Sequence, residues 1–251
     1  QRQMCIRDRN MNKKRKDFLL DGKPISEWLT ELGKKGNASF VASLNPGIPH
    51  VLGVRLGDMR CLAKQIAVGD WESYLDSAGD YYMEERLLHG LVLGAITPDE
   101  DVEIYLNRVT NFVYKINCWS VCDSFRFAGG KRYFIRHEQR FWDYLTAMMQ
   151  HPETYTIRFG VVMTLTYYIK EAYIDCLLEC YAAIRHPDYY VKMAVAWALS
   201  ICYVKFPQQT YDLLARGTLD AETLQKTVRK INESLRVDKA SKQIVSQLLK
   251  R

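Results

Sequence analysis

The sequence predicts an all-α fold, an alpha-alpha superhelix (solenoid) of stacked helix pairs that presents a concave face. Three observations predict it. From residue 81 onwards apolar residues recur almost throughout at helical spacing. The segments that carry this spacing are joined by short connectors built on Gly, Pro, His and Asp, such as Gly129-Gly130, His151-Pro152 and His186-Pro187-Asp188. Helix pairs recur over about 35–40 residues, although the literal repeat is weak.

That period is the one expected of HEAT-like arrays, in which each pair buries its apolar face on the next. Residues 1–17 form a basic N-terminal segment, densest at Lys13-Lys-Arg-Lys16. It reads either as an arm that touches DNA or as an ordinary solvated terminus. Residues 18–251 are expected to form a single HEAT-like helical repeat domain.

Ile25 to Leu32 is a short apolar-periodic segment with Ser26 as a cap. Asn45 to Gly57 leads into a helix that Asp58 caps and that runs from Met59 towards Val68. Gly69-Asp70 breaks it and Trp71 to Leu75 resumes it. Tyr81 to Gly94 is a strong helix, with Met83, Leu87, Leu88, Leu91 and Val92 on its apolar face. Glu84 and Glu85 read as a wet face or as local ion pairs rather than as catalytic acids.

Pro98 and Asp99 open a helix towards Val113, and Trp119 to Arg126 makes the next element. Phe134 to Met149 is expected as one helix, followed by Thr154 to Ile169 and Ala172 to Ile184. Tyr190 to Tyr203 follows, with Met193, Ala194, Trp197 and Ile201 nearly on one face. Pro207 opens a short helix, Asp220 precedes another over 221–231, and Asp238 caps the last, to Leu249.

Composition narrows the function classes. Of 251 residues, 48% are hydrophobic and 25% charged, ordinary values for a globular protein. No apolar run is long enough for a transmembrane helix, and no apolar run follows the basic terminus, so neither a membrane partner nor a secretory signal is expected. Seven dispersed cysteines without a CxxC, beside five histidines, suit buried thiols in a reducing cytoplasm better than a zinc site. With no glycine-rich nucleotide loop either, no metal and no cofactor are expected. The net charge of +6 permits an anionic partner.

The stretch Asn117-Cys-Trp-Ser-Val-Cys-Asp123 carries the chemistry. Trp119 and Asp123 are four residues apart and share a helical face. An aromatic plane beside a carboxylate suits an apolar ring with developing positive charge. Arg158 and Trp197 lie on later helices and, if these stack, line the same groove. Taken singly, each has a plainer reading: Asp123 as a cap, the tryptophans as packing, Arg158 as a rim charge or a partner for Asp123. Arg55, Arg60 and Lys64 are further candidates for phosphate contact, and equally for surface ion pairs. Arg216, Lys226, Arg229, Lys230 and Arg236 add basic charge near the C-terminus.

At Trp119, Asp123, Arg158 and Trp197 the chain resembles the AlkD-like DNA alkylation repair glycosylases. The phrases His50-Val-Leu-Gly-Val-Arg55, Trp119-Ser-Val-Cys-Asp123 and Val191-Lys-Met-Ala-Val-Ala-Trp197 carry the resemblance, which extends from about residue 40 to the C-terminus. It implies a monomeric solenoid that holds duplex DNA and hydrolyses the N-glycosidic bond of cationic N3- or N7-alkylated purines. It implies Asp123 as the essential carboxylate, Trp119 and Trp197 as lesion and sugar contacts, and Arg158 as a phosphate clamp. Gly57 stands where many relatives have Pro. A catalytically inactive scaffold on the same fold, binding DNA or protein, is the alternative.

Overall fold

The computed structural model describes residues 17–99 and 101–250. The basic segment expected over 1–17 lies outside the described residues except for Asp17. The chain forms two compact units, one ending at Pro98 and one beginning at Asp99.

The first unit opens with an element absent from the all-α expectation. Strands β1 (Leu19–Leu20) and β2 (Lys23–Pro24) pair antiparallel across Asp21-Gly22. Both turn residues have positive φ, 53° and 77°, as the two-residue Asp-Gly hairpin requires. Helix α1 (Ile25–Gly33) follows, with Pro24 rather than Ser26 at its cap position. Helix α2 (Ala38–Leu44) has no counterpart in the sequence expectation; Asn37 caps it by accepting from the Phe40 amide at 2.9 Å. Helix α3 (Leu56–Ala67) starts three residues earlier than expected, which places Asp58 in its first turn instead of at its cap. There it still complements the positive end of the helix. Helix α4 (Trp71–Ser77) is capped by Asp70, and α5 (Met83–Ala95) packs on α3.

Glu84 corrects the wet-face reading. It is fully buried, and its carboxylate accepts from the amides of Leu52 at 3.0 Å and Gly53 at 2.7 Å. Glu85 accepts from the Tyr81 and Tyr82 amides, which closes the N-terminus of α5.

The second unit consists of stacked helices in an alpha-alpha solenoid architecture. They are α6 (Val102–Val113), α7 (Trp119–Ser124), α8 (Gly130–Arg136), α9 (Glu138–Met149), α10 (Thr154–Tyr167), α11 (Ile174–Ala183), α12 (Tyr189–Lys205), α13 (Pro207–Ala215), α14 (Ala221–Glu233) and α15 (Lys239–Ser246). The helix expected over Phe134 to Met149 is broken at His137, whose φ of −113° and ψ of 21° leave the helical basin. The expected cap Asp238 holds, as does Pro207 in the first turn of α13, and Asp220, expected only to precede a helix, caps α14.

Within this unit α7 packs on α10, α10 on α12, and α12 on α14. Helices α10 and α12 are apolar nearly all round and buried on most sides, as the middle of an array demands. Gly160 brings α9 close to α10: a Cβ there would lie 2.8 Å from the Leu145 carbonyl oxygen.

Candidate functional site

Helix α7 has six residues, too few to persist without tertiary support. Its support comes from buried side chains and from the chain that follows it. Cys118, Val121 and Cys122 are buried beneath it. Phe125 packs with Phe112 and Phe159, at ring-centroid distances of 5.5 and 5.3 Å. The Phe127 amide donates to the Tyr167 hydroxyl at 3.1 Å, and the Ala128 amide to the Tyr105 hydroxyl at 2.8 Å. The backbone on the C-terminal side of Asp123 is therefore fixed by two phenols, that of Tyr105 buried and that of Tyr167 half-buried.

Trp119 is the first residue of α7 and Asp123 the fifth, so both face the same way. Helix α10 lays Arg158 against Asp123. The Arg158 Nε donates to Oδ1 at 2.9 Å and its Nη2 to Oδ2 at 2.6 Å, a two-pronged pair. The third arm, Nη1, donates to the Tyr190 carbonyl at 2.8 Å, which ties α12 to the same centre. From sequence, Arg158 suits phosphate as well as Asp123. In the structure its guanidinium is turned to the carboxylate and to a backbone carbonyl.

The two side chains differ in exposure, 7% for Arg158 and 16% for Asp123, so the negative end of the pair is the more open. Burial pulls the Arg158 guanidinium down, but its hydrogen bonds to Asp123 and the carboxylate charge outweigh this and hold it above its ordinary value. Next to the pair, burial and then the Asp123 charge push the Cys122 thiol far up, so a neutral thiol backs the carboxylate.

Asp123 opens into a cleft of about 410 Å³. Trp119, Asp123, Arg158 and Trp197 all line it, so the structure brings together the four residues singled out from sequence. Tyr189, Tyr190, Met193 and Lys230 complete the lining, and sequence reasoning does not assign them to it. Spacing holds part of the signal: Met193 is four residues before Trp197, and Tyr190 seven, on one face of α12.

A larger cavity of about 680 Å³ lies elsewhere in the second unit, beside His151, Arg185 and His186. Several of its polar groups serve the backbone. His186 Nε2 donates to the Pro152 carbonyl at 3.1 Å while its Nδ1 accepts from the Asp188 amide at 3.2 Å. Arg185 Nη2 donates to the Thr218 carbonyl at 2.9 Å. The smaller cleft holds the open carboxylate and the two tryptophans, and it is the better candidate.

Arg55, Arg60 and Lys64 belong to the first unit. Arg55 Nη2 donates to the Lys35 carbonyl at 2.8 Å, whereas Arg60 and Lys64 are exposed on α3. A family model described as DNA alkylation repair enzyme matches residues 25–230. No curated protein and no solved structure matches the chain.

Proposed function

The chain belongs to the DNA alkylation repair enzyme family, and from that premise we propose that it is a monofunctional DNA glycosylase acting on cationic N3- or N7-alkylated purines in duplex DNA. The observation that carries the reading is the Asp123–Arg158 pair, its carboxylate end open to a cleft walled by Trp119 and Trp197.

The chemistry fits these groups. A purine alkylated at N3 or N7 carries positive charge and leaves as a neutral base, taking the electron pair of the glycosidic bond. Positive charge then grows on the deoxyribose. Asp123 offers that charge a fixed carboxylate, and the faces of Trp119 and Trp197 offer it their negative quadrupoles. Arg158 acts through Asp123. It holds the carboxylate in one orientation, and each oxygen keeps lone-pair capacity beyond the one bond it accepts. A water hydrogen-bonded to that capacity adds to the sugar C1′ and releases its proton to solvent, leaving an abasic site. No lysine is needed for this chemistry.

The test is release of methylated purine from alkylated duplex DNA, with Asp123→Asn assayed alongside. Release well above the spontaneous rate that Asp123→Asn suppresses supports the proposal. Duplex binding with release at the spontaneous rate would leave an inert DNA-binding scaffold. One observation favours that second reading: both carboxylate oxygens already accept from Arg158.

A further inference from the structure

Tyr189 is a cleft residue with no part in the chemistry above. It is the first residue of α12 and lines the cleft while remaining 54% exposed. Its ring is nonetheless held from two sides. The Lys226 ammonium sits 4.7 Å from the ring centroid. The Tyr190 ring stands nearly perpendicular to it, at 83° and a centroid distance of 5.4 Å. Lys226 is itself anchored by Glu222 on α14 at 3.3 Å, and Glu222 also holds Lys192 from α12 at 2.5 Å. The chain Lys192–Glu222–Lys226 thus spans two helices and ends on the Tyr189 ring.

This arrangement gives the ring a definite preference. An aromatic face is negative, and an ammonium resting on it satisfies that charge. The face turned away from that ammonium is then less negative and is a weaker site for a second cation. It suits a flat, neutral, electron-rich ring. Trp119 and Trp197 stand in the opposite situation, sharing the cleft with a carboxylate. The cleft therefore has two aromatic environments of opposite polarity.

We propose that Tyr189 is a specificity-determining residue, a rigid shelf on which a neutral nucleobase stacks while the cationic nucleoside lies at Asp123. This rests on the reading of the cleft as a duplex-DNA site and adds a second base to it. The neutral base is either the partner across from the lesion or the neighbour on the same strand. One chemistry serves both, and the experiment separates them.

The probe is a duplex with a stable abasic-site analogue, so that no turnover is needed. The fluorescent base aminopurine is placed opposite the analogue in one duplex and beside it in another. Duplex affinity and aminopurine emission at saturating protein are read for the unaltered chain, Tyr189→Phe and Tyr189→Leu. The unaltered chain and Tyr189→Phe should quench emission in one of the two positions, which identifies the base. Tyr189→Leu should lose that quenching and bind roughly 5- to 150-fold more weakly, the range for loss of one base-aromatic stack. Tight binding with no quenching at either position, or with quenching that survives in Tyr189→Leu, overturns the shelf and leaves the duplex-binding reading standing. If the unaltered chain does not bind the duplex at all, both readings fall together.

Discussion

Glu84 and Asp123 are two carboxylates with satisfied oxygens, and they do different things. Glu84 is fully buried and spends its oxygens on the amides of Leu52 and Gly53, fixing a loop that turns through a positive φ of 77° at Gly53. Asp123 spends its oxygens on Arg158 but keeps 16% of its side chain open, in a cleft with two tryptophans. The number of partners does not separate a structural acid from a reacting one. The open side does, because transition-state charge can only develop where a substrate can reach.

The largest expected effect follows from that difference. Asp123→Asn should lower purine release by roughly 10²- to 10³-fold, the usual loss when one preorganised electrostatic group is removed. Duplex affinity should stay within about threefold, read by titration at fixed salt. Matching losses in release and affinity would make Asp123 a structural residue like Glu84. Glu84→Gln should do the reverse. It sets an amide nitrogen against a backbone N–H in a buried site, and should lower stability by about 2 kcal/mol in denaturant titration. Release per folded molecule should not change; a fall as deep as that of Asp123→Asn would erase the distinction.

Arg158→Lys is the next step down. Lysine keeps the charge but loses the fork that meets both carboxylate oxygens and the Tyr190 carbonyl. Release should fall by about tenfold with affinity and salt dependence unchanged, since in this reading the residue acts through Asp123. A shallower salt slope with normal release would return Arg158 to the phosphate.

The fold is legible in the sequence where the physics is local. Asp70, Asp188, Asp220 and Asp238 cap helices by accepting from amides two or three residues ahead, and such spacing shows in the chain. The break at His137 does not show, because neither Gly nor Pro marks it and the apolar period runs on through it. The hairpin at Asp21-Gly22 carries a readable turn signal, but its strands are only two residues long, too short for alternation. Glu84 escapes a local reading because its partners lie 31 and 32 residues away. At the site, Trp119 and Asp123 are legible from one helical turn. Arg158 and Trp197 need the resemblance, and Lys230 and Tyr189 join the cleft only through the packing of α12 on α14.

The smallest effects concern the cations of the first unit, which differ among themselves. Arg60 and Lys64 are exposed on α3, while Arg55 is turned to the Lys35 carbonyl. If Arg60 and Lys64 each neutralise a phosphate, the double substitution Arg60→Ala, Lys64→Ala should weaken duplex binding only a few-fold near physiological salt. The slope of log affinity against log salt should drop by about 0.9 for each phosphate no longer neutralised. Arg55→Ala should leave that slope nearly unaltered and act on stability instead, by about 1 kcal/mol for the loss of one solvent-exposed hydrogen bond. An Arg55→Ala slope change as large as that of Arg60→Ala would mean that its guanidinium leaves Lys35 when DNA binds, and all three cations would then belong to one electrostatic surface.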